Sequence, residues 1–262
     1  MKFSKCLLIL IPFAIVSAQN KNETLNLFGS IGWGFGTGGS LFSSVNRDYS
    51  SLTDVKRSDS YLNYGRGFKF DLGAQYFMMN NVALQMGIAF SAGVPGLKTD
   101  DHNLKVPSTE TVFQDSTTNY KFGLFGIKAL VVPRFEILDL LNMYAGVGLG
   151  LFWSSMKYEI TRISPSGTQN ESGKIKASPT VALLGELGAD YPISDIISLY
   201  GEIALEQMSF TWKEKVIEKT DITGHTPNGT EVYEKDVTNQ GAPLNSPGSN
   251  WQIRFGVRFM VF

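Results

Sequence analysis

Nine charged residues in this sequence could do chemistry together: Lys69, Asp71, Lys128, Glu186, Asp190, Glu202, Glu206, Arg254 and Arg258. Each falls within a stretch that alternates apolar and polar residues, on the polar side of the alternation. Collected in one enclosed space, these four bases and five acids could form a proton path, line a gated pore, or fill an interior as ion pairs. A second constellation, Asp100-Asp101-His102, has catalytic residue types, because a carboxylate beside a histidine can activate water or a serine. It lies in a polar stretch that reads as loop, where charges are usually just solvated, so no catalytic residue is assigned and no enzyme is expected. Gly34-Phe35-Gly36-Thr37-Gly38-Gly39 spells a dinucleotide fingerprint. That motif needs a following helix in a βαβ unit, and a polar stretch follows instead.

The elements that must position the nine charges are strands. Strict period-two alternation is clearest in the last twelve residues, where Trp251, Ile253, Phe255, Val257, Phe259 and Val261 share one face. Gln252, Arg254, Gly256, Arg258 and Met260 share the other. The same pattern predicts strands over residues 24–38, 64–77, 82–92, 143–161, 176–191, 197–213 and 251–262, and residues 119–136 read as a strand by composition although they alternate poorly. Their connections alternate long and short, and the stretches 39–62, 93–118, 164–173 and 216–249 read as polar loops. An up-and-down barrel in an outer membrane has this parity, with long extracellular loops and short periplasmic turns. The strands also reach the ~9–11 tilted residues that a membrane crossing needs.

In such a barrel the apolar face meets lipid and the charges face the lumen. Each Lys or Arg on the lipid face near midplane would cost about 2–4 kcal/mol, and four would cancel most of a typical ~5–15 kcal/mol stability. An ion-pair network is therefore expected inside, with Glu202 or Glu206 reaching Arg254. An eight-stranded barrel has an interior just wide enough for side chains to fill, so a largely plugged lumen is favoured over a pore. Glycines facing the lumen, such as Gly32, Gly146, Gly148 and Gly150, would make room for Tyr144 and the arginines. Tyr64, Tyr76, Tyr120, Trp153, Tyr191, Trp212 and Trp251 are candidates for two interfacial aromatic girdles.

Composition bounds the class. A formal charge of −1 over 262 residues argues against a nucleic-acid partner. Lys2 and Lys5, the apolar run Leu7 to Val16 and the small residues Val16-Ser17-Ala18 predict an export signal at residues 1–18 and a barrel domain at 19–262. Cys6, the single cysteine, lies inside that signal, so neither a disulfide nor a thiol-bound metal is expected, and no cofactor is called for.

The chain resembles the small OmpA/OmpX-like outer-membrane β-barrel proteins. The resemblance rests on the signal, the eight alternating strands, the loop parity and the terminal Phe262. It implies an eight-stranded antiparallel up-and-down transmembrane barrel in the outer membrane of a diderm, Gram-negative bacterium. It further implies insertion by the barrel-assembly machinery, contact with outer-membrane lipids, a monomeric state, and surface loops that take extracellular ligands. A small porin-like channel and an outer-membrane hydrolase at the rim, using His102, are the alternatives. The terminal assembly signal would comprise Phe259 and Phe262, although Phe262 shares its phase with Arg254 and Arg258 rather than with the apolar series.

Overall fold

The computed structural model describes residues 25–37, 40–48, 56–62, 65–79, 81–93, 97–102, 115–138, 141–164, 167–221, 230–232 and 245–261. In chain order the strands are β1 (Leu25–Gly36), β2 (Ser40–Asp48), β3 (Lys56–Leu62), β4 (Gly67–Met79), β5 (Val82–Gly93), β6 (Leu97–His102), β7 (Asp115–Leu138) and β8 (Leu141–Ser164). They continue with β9 (Gly167–Ala177), β10 (Thr180–Pro192), β11 (Ile197–Gln207), β12 (Ser209–Thr220), β13 (Thr230–Val232), β14 (Asn245–Pro247) and β15 (Asn250–Val261). Eight of them close an antiparallel barrel in the order β1-β4-β5-β7-β8-β10-β11-β15, with β15 returning to β1. The closing seam is uninterrupted from Leu25 opposite Val261 to Gly36 opposite Asn250. The export signal at 1–18, Tyr64 and Phe262 lie outside the described residues.

Two of the barrel staves are broken in the middle. β9 and β10 both pair with β8, and the chain between them carries Pro179, which has no N–H to give a ladder. β11 and β12 are likewise halves of one stave, interrupted at Met208. Across this seam Leu183 is opposite Gln207 and Ala177 is opposite Trp212, so six steps on one stave face five on the other. That one-residue surplus is a bulge on the β9–β10 stave, and it switches the buried phase from odd residues on β9 to even residues on β10.

The expected faces hold around the barrel. Val147, Val181 and Phe255 are each at least 65% exposed, whereas Lys69, Asp71, Arg254 and Arg258 are no more than 4% exposed. Tyr120 and Trp212 do not join an exposed girdle. Trp212 is buried, because its even number puts it in the phase of Glu202, Glu206 and Phe210, and Tyr120 packs against the same interior cluster. Met260, expected inside, is exposed where the strand runs past the end of the lumen.

Much of what reads as polar loop is strand. The stretch 164–173 is a hairpin: β8 runs to Ser164 and β9 starts at Gly167, whose positive φ suits a tight turn. β2, β3 and β6 occupy parts of 39–62 and 93–118, and β12 continues to Thr220. Residues Asp100, Asp101 and His102 therefore lie in a strand, with Asp101 opposite Ser116 and His102 opposite Asp115 on β7. Polarity misleads here because a sheet wet on its outer face needs only one apolar face. Along β8 and β9 that face is Met156, Tyr158 and Ile175, all buried. At the other end the connections are brief, with residues 80–81, 139–140 and 193–196 joining successive barrel strands.

Candidate functional site

The interior of the barrel collects the nine charged residues and adds a tenth. Arg134 follows Lys128, Leu130 and Val132 on the inward phase of β7, and its guanidinium pairs with Asp190. Pro133 obscures the alternation at that point, which is why the sequence does not single it out. With Arg134 the interior holds five cations, Lys69, Lys128, Arg134, Arg254 and Arg258. They face five anions, Asp71, Glu186, Asp190, Glu202 and Glu206. The described lumen is formally neutral. Charges withdrawn from water are costly unless matched, so this balance is what permits the filling.

The filling is layered. In the middle, Arg254 reaches three carboxylates from three other strands. Its Nε is 2.8 Å from Glu202, its Nη2 is 3.5 Å from Glu186, and its Nη1 pairs with Asp71. Lys128 donates to Asp71 at 2.8 Å and lies 3.8 Å from Glu206, which Lys69 approaches to 3.6 Å. Neutral groups occupy remaining lone pairs: Gln85 donates to Glu186 at 3.2 Å and Asn250 to Glu206 at 3.2 Å. The space left among Lys128, Glu186, Glu206 and Arg254 is about 10 Å³. That is on the order of the ~10–15 Å³ required by one water.

Toward the short turns, Arg258 pairs with Asp190 and is held between two aromatic faces, 4.3 Å from the Tyr144 ring and 4.2 Å from the Tyr200 ring. The Tyr144 hydroxyl donates to Glu202 at 2.7 Å, joining this layer to the middle one. Here the lumen opens into a shallow bowl of about 80 Å³ whose floor includes Arg134, Asp190 and Arg258. Toward the hairpin end the filling becomes apolar. Phe152, Met156, Ile175, Met208, Phe210 and Trp212 are all buried there, with Phe122 and Phe210 rings 5.8 Å apart.

Glycines make this density possible. A Cβ on Gly32 would come within 2.6 Å of the Arg254 side chain, one on Gly188 within 2.5 Å of the Tyr144 ring, and one on Gly73 within 2.6 Å of Phe28. Phe28, Tyr200, Gln75 and Gln85 complete the interior without having been marked by charge. Only their position in the alternation gives them away.

Outside, aromatic side chains from six neighbouring strands ring the hairpin end. Trp251 stacks on Phe35 with centroids 4.2 Å apart, Trp33 meets Phe68 edge-on, and Phe70, Phe90, Phe125 and Trp153 follow at 5.2–6.4 Å spacings. Beyond this belt β8 runs eleven more residues to Ser164, and β7 begins ten residues before Phe125. At ~3.3 Å per residue, about 30–35 Å of strand stands clear of the apolar band. Within this extension Glu171 is buried, taking a hydrogen bond from Tyr158 at 3.1 Å and an ion pair from Lys215 at 2.9 Å.

No protein-family model and no curated protein matches this chain. Among solved structures it is similar to a major outer membrane protein from Thermus thermophilus, at 11% identity and a TM-score of 0.52, covering 91% of this chain and 99% of that one. It is also similar to Neisserial surface protein A, at 12% identity and a TM-score of 0.41, with 91% and 97% of the chains covered. Ail, the attachment invasion locus protein of Yersinia pestis, aligns at 11% identity and a TM-score of 0.33, covering 90% and 97%. The chain thus shares the fold of the Thermus outer-membrane protein, and its closed eight-stranded antiparallel barrel is the architecture expected for an OmpA/OmpX-like chain.

Proposed function

We propose that this chain is an integral outer-membrane barrel protein whose lumen is closed, and that it acts structurally or through the surface displayed at its hairpin end. One observation carries the reading: a continuous apolar band encloses a charge-neutral, tightly filled interior, the reverse of a water-soluble protein. From Trp251 to Phe259 the band covers nine residues of β15, matching the ~9–11 tilted residues of a membrane crossing. The aromatic belt then lies at an interface, the long β7–β8 extension outside the cell and the short turns in the periplasm. A barrel of the same fold is a major outer membrane protein in Thermus thermophilus.

On this reading residues 1–18 direct export, the barrel-assembly machinery inserts the mature chain in a Gram-negative outer membrane, and the protein works as a monomer without catalysis. Three layers of filling argue against a porin-like pore. The test combines membrane fractionation, gel mobility of boiled against unboiled samples, and planar-bilayer recording. The expected result is an outer-membrane protein with heat-modifiable mobility and no discrete conductance. Recovery in the soluble periplasm overturns the membrane assignment, and steady single-channel steps overturn the closed lumen. Hydrolysis of lipid or peptide that is lost in His102→Ala overturns the non-enzymatic role.

A further inference from the structure

We infer that the bowl at the short-turn mouth of the barrel is a binding site for inorganic phosphate, held by Arg134, Arg258 and Asn26. The site is read from the lumen itself, and only its supply from the periplasm rests on the orientation proposed above. Arg134 on β7 and Arg258 on β15 lie four strands apart around the barrel, so they meet across its lumen. They share one carboxylate: Asp190 takes Arg134 on Oδ2 and Arg258 on Oδ1. The neutrality of the lumen is therefore not local. The middle layer sets Lys69, Lys128 and Arg254 against Asp71, Glu186, Glu202 and Glu206, three cations against four carboxylates. The mouth holds the reverse surplus, two guanidiniums against Asp190. Asp195 is on the rim but exposed, where water and salt screen it.

Hydrogen bonding points the same way. Among the described residues, the Nε of Arg134 and the Nε of Arg258 have no acceptor, and the Asn26 side-chain oxygen has no donor, although all three atoms are buried. Buried polar atoms without partners are rare and costly. The rings of Tyr144 and Tyr200 cover the Arg258 guanidinium at 4.3 and 4.2 Å, which leaves its edge to take an acceptor. All three residues border one cavity of about 80 Å³. At ~10–15 Å³ for one water, that is room for roughly five to eight, or for a phosphate with part of its hydration shell.

Chemistry and position select the anion. Guanidinium forks match the oxygens of carboxylates and phosphates alike. Two forks arriving from opposite sides call for more than the two oxygens of a carboxylate, and a tetrahedral anion offers four. Hydrogen phosphate also keeps one O–H at neutral pH and can donate it to Asn26, which neither acetate nor sulfate can do. Residues of β1, β7, β8, β10, β11 and β15 wall the bowl from within the barrel, so headgroups of the surrounding lipid stand outside it. The ligand is therefore a soluble one.

Titration of the folded protein with inorganic phosphate, in a detergent free of phosphate, tests this through the arginine Nε–H signals in NMR. The Arg134 and Arg258 signals are expected to move together with one saturable midpoint, while that of Arg254, already against Glu202, stays in place. Arg134→Gln leaves Asp190 with Arg258 and should weaken phosphate binding about tenfold or more, read from the remaining Arg258 signal. Asn26→Leu should weaken it without any change of charge, and acetate and sulfate should bind less tightly than phosphate. Unchanged heat-modifiable mobility will show that both variants are folded. The absence of saturable shifts up to about 20 mM phosphate overturns the proposal, as does an unchanged midpoint in Arg134→Gln. Equal binding of acetate or sulfate overturns the choice of hydrogen phosphate. Movement of the same signals by phosphatidylglycerol in a nanodisc, with no phosphate added, overturns the soluble ligand. Labelling of Asp195→Cys by an impermeant maleimide separates the two readings. A thiol reached on intact cells refutes the orientation, whatever the bowl binds in detergent.

Discussion

Arg254→Met is the sharpest perturbation of the lumen. Methionine keeps much of the volume and removes the charge that three carboxylates share. Asp71 would retain Lys128 at 2.8 Å and Glu202 would retain the Tyr144 hydroxyl at 2.7 Å, but Glu186 would keep only Gln85 at 3.2 Å. Removing one partner of a buried ion pair costs about 3–5 kcal/mol, because a charge is left without a counter-charge. With a urea dependence near ~2 kcal/mol/M, the unfolding midpoint should fall by roughly 1.5–2.5 M. The assay follows the heat-modifiable gel band of protein equilibrated in lipid vesicles across urea concentrations. Adding Glu186→Gln should recover part of the loss, a coupling of about 0.5–3 kcal/mol. Lys176→Gln breaks an exposed 2.7 Å pair and should cost no more than ~1 kcal/mol. An Arg254→Met midpoint no lower than that of Lys176→Gln would refute the reasoning, since it would mean that water already screens the lumen charges.

Three further outcomes follow from other parts of the structure. Gly188→Leu should fail to yield the fast-migrating folded band, because its Cβ would meet the Tyr144 ring at 2.5 Å and the Gly201 carbonyl at 2.7 Å; a normal yield would show that Tyr144 can leave the interior. Glu171→Gln should open the extension without opening the barrel, at or below the ~3–5 kcal/mol of a broken buried pair. Limited proteolysis should then cut near residues 165–166 while the barrel's mobility is kept, and simultaneous loss of both would contradict separate stability. Lys174 donates to Glu218 in the extension and holds that carboxyl below its ordinary value. A lowered folded value means stabilisation that is present above the unfolded pKa of ~4.3 and fades as pH falls through the folded one. In an NMR titration Lys174→Gln should move the Glu218 midpoint upward, and an unchanged midpoint would remove Lys174 as the cause.

The barrel was legible because its two faces meet different surroundings, so period-two alternation survives in almost every stave. Lys69, Asp71 and Arg254 could be placed inside on cost alone, before any partner was known. The partners were only partly accessible: Glu202 reaches Arg254, one of the two glutamates expected to, but Glu186 and Asp71 also surround it and were not anticipated there. Asp71 is 183 residues away in sequence, and only the stagger of the staves brings it close. The extension escaped because its outward residues are Ser, Thr, Lys and Glu on a sheet wetted on one side. Its inward residues, Tyr158, Ile175 and Ile217, are too widely spaced by polar neighbours to read as a core. Trp212 shows the same limit, since tryptophan suits a membrane interface and a core equally well.

The placement of Arg254 also answers a question that the apolar band cannot. Sliding β15 by two residues against β1 keeps every apolar side chain outward, so lipid does not distinguish the two registers. The slip moves Arg254 by about 7 Å along its strand, beyond the 2.8 Å contact with Glu202. It also removes Arg254 from Gly32, the position opposite it that lacks a side chain, and brings it toward Ser30 or Gly34. The guanidinium thus reads the register of β10, β11, β15, β1 and β4 together, across the seam where the barrel closes. Buried ionic groups that add little net stability can still fix a register. Cysteines at Ile31 and Phe255, directly opposed on the outer face, should cross-link readily in the otherwise unaltered barrel. In the Arg254→Met background the same pair should cross-link less completely, with Phe255→Cys now also capturing cysteines placed at Gly29 or Trp33. Undiminished cross-linking of the Ile31–Phe255 pair alone would show that the seam is set by its backbone and apolar contacts, and that Arg254 contributes only to stability.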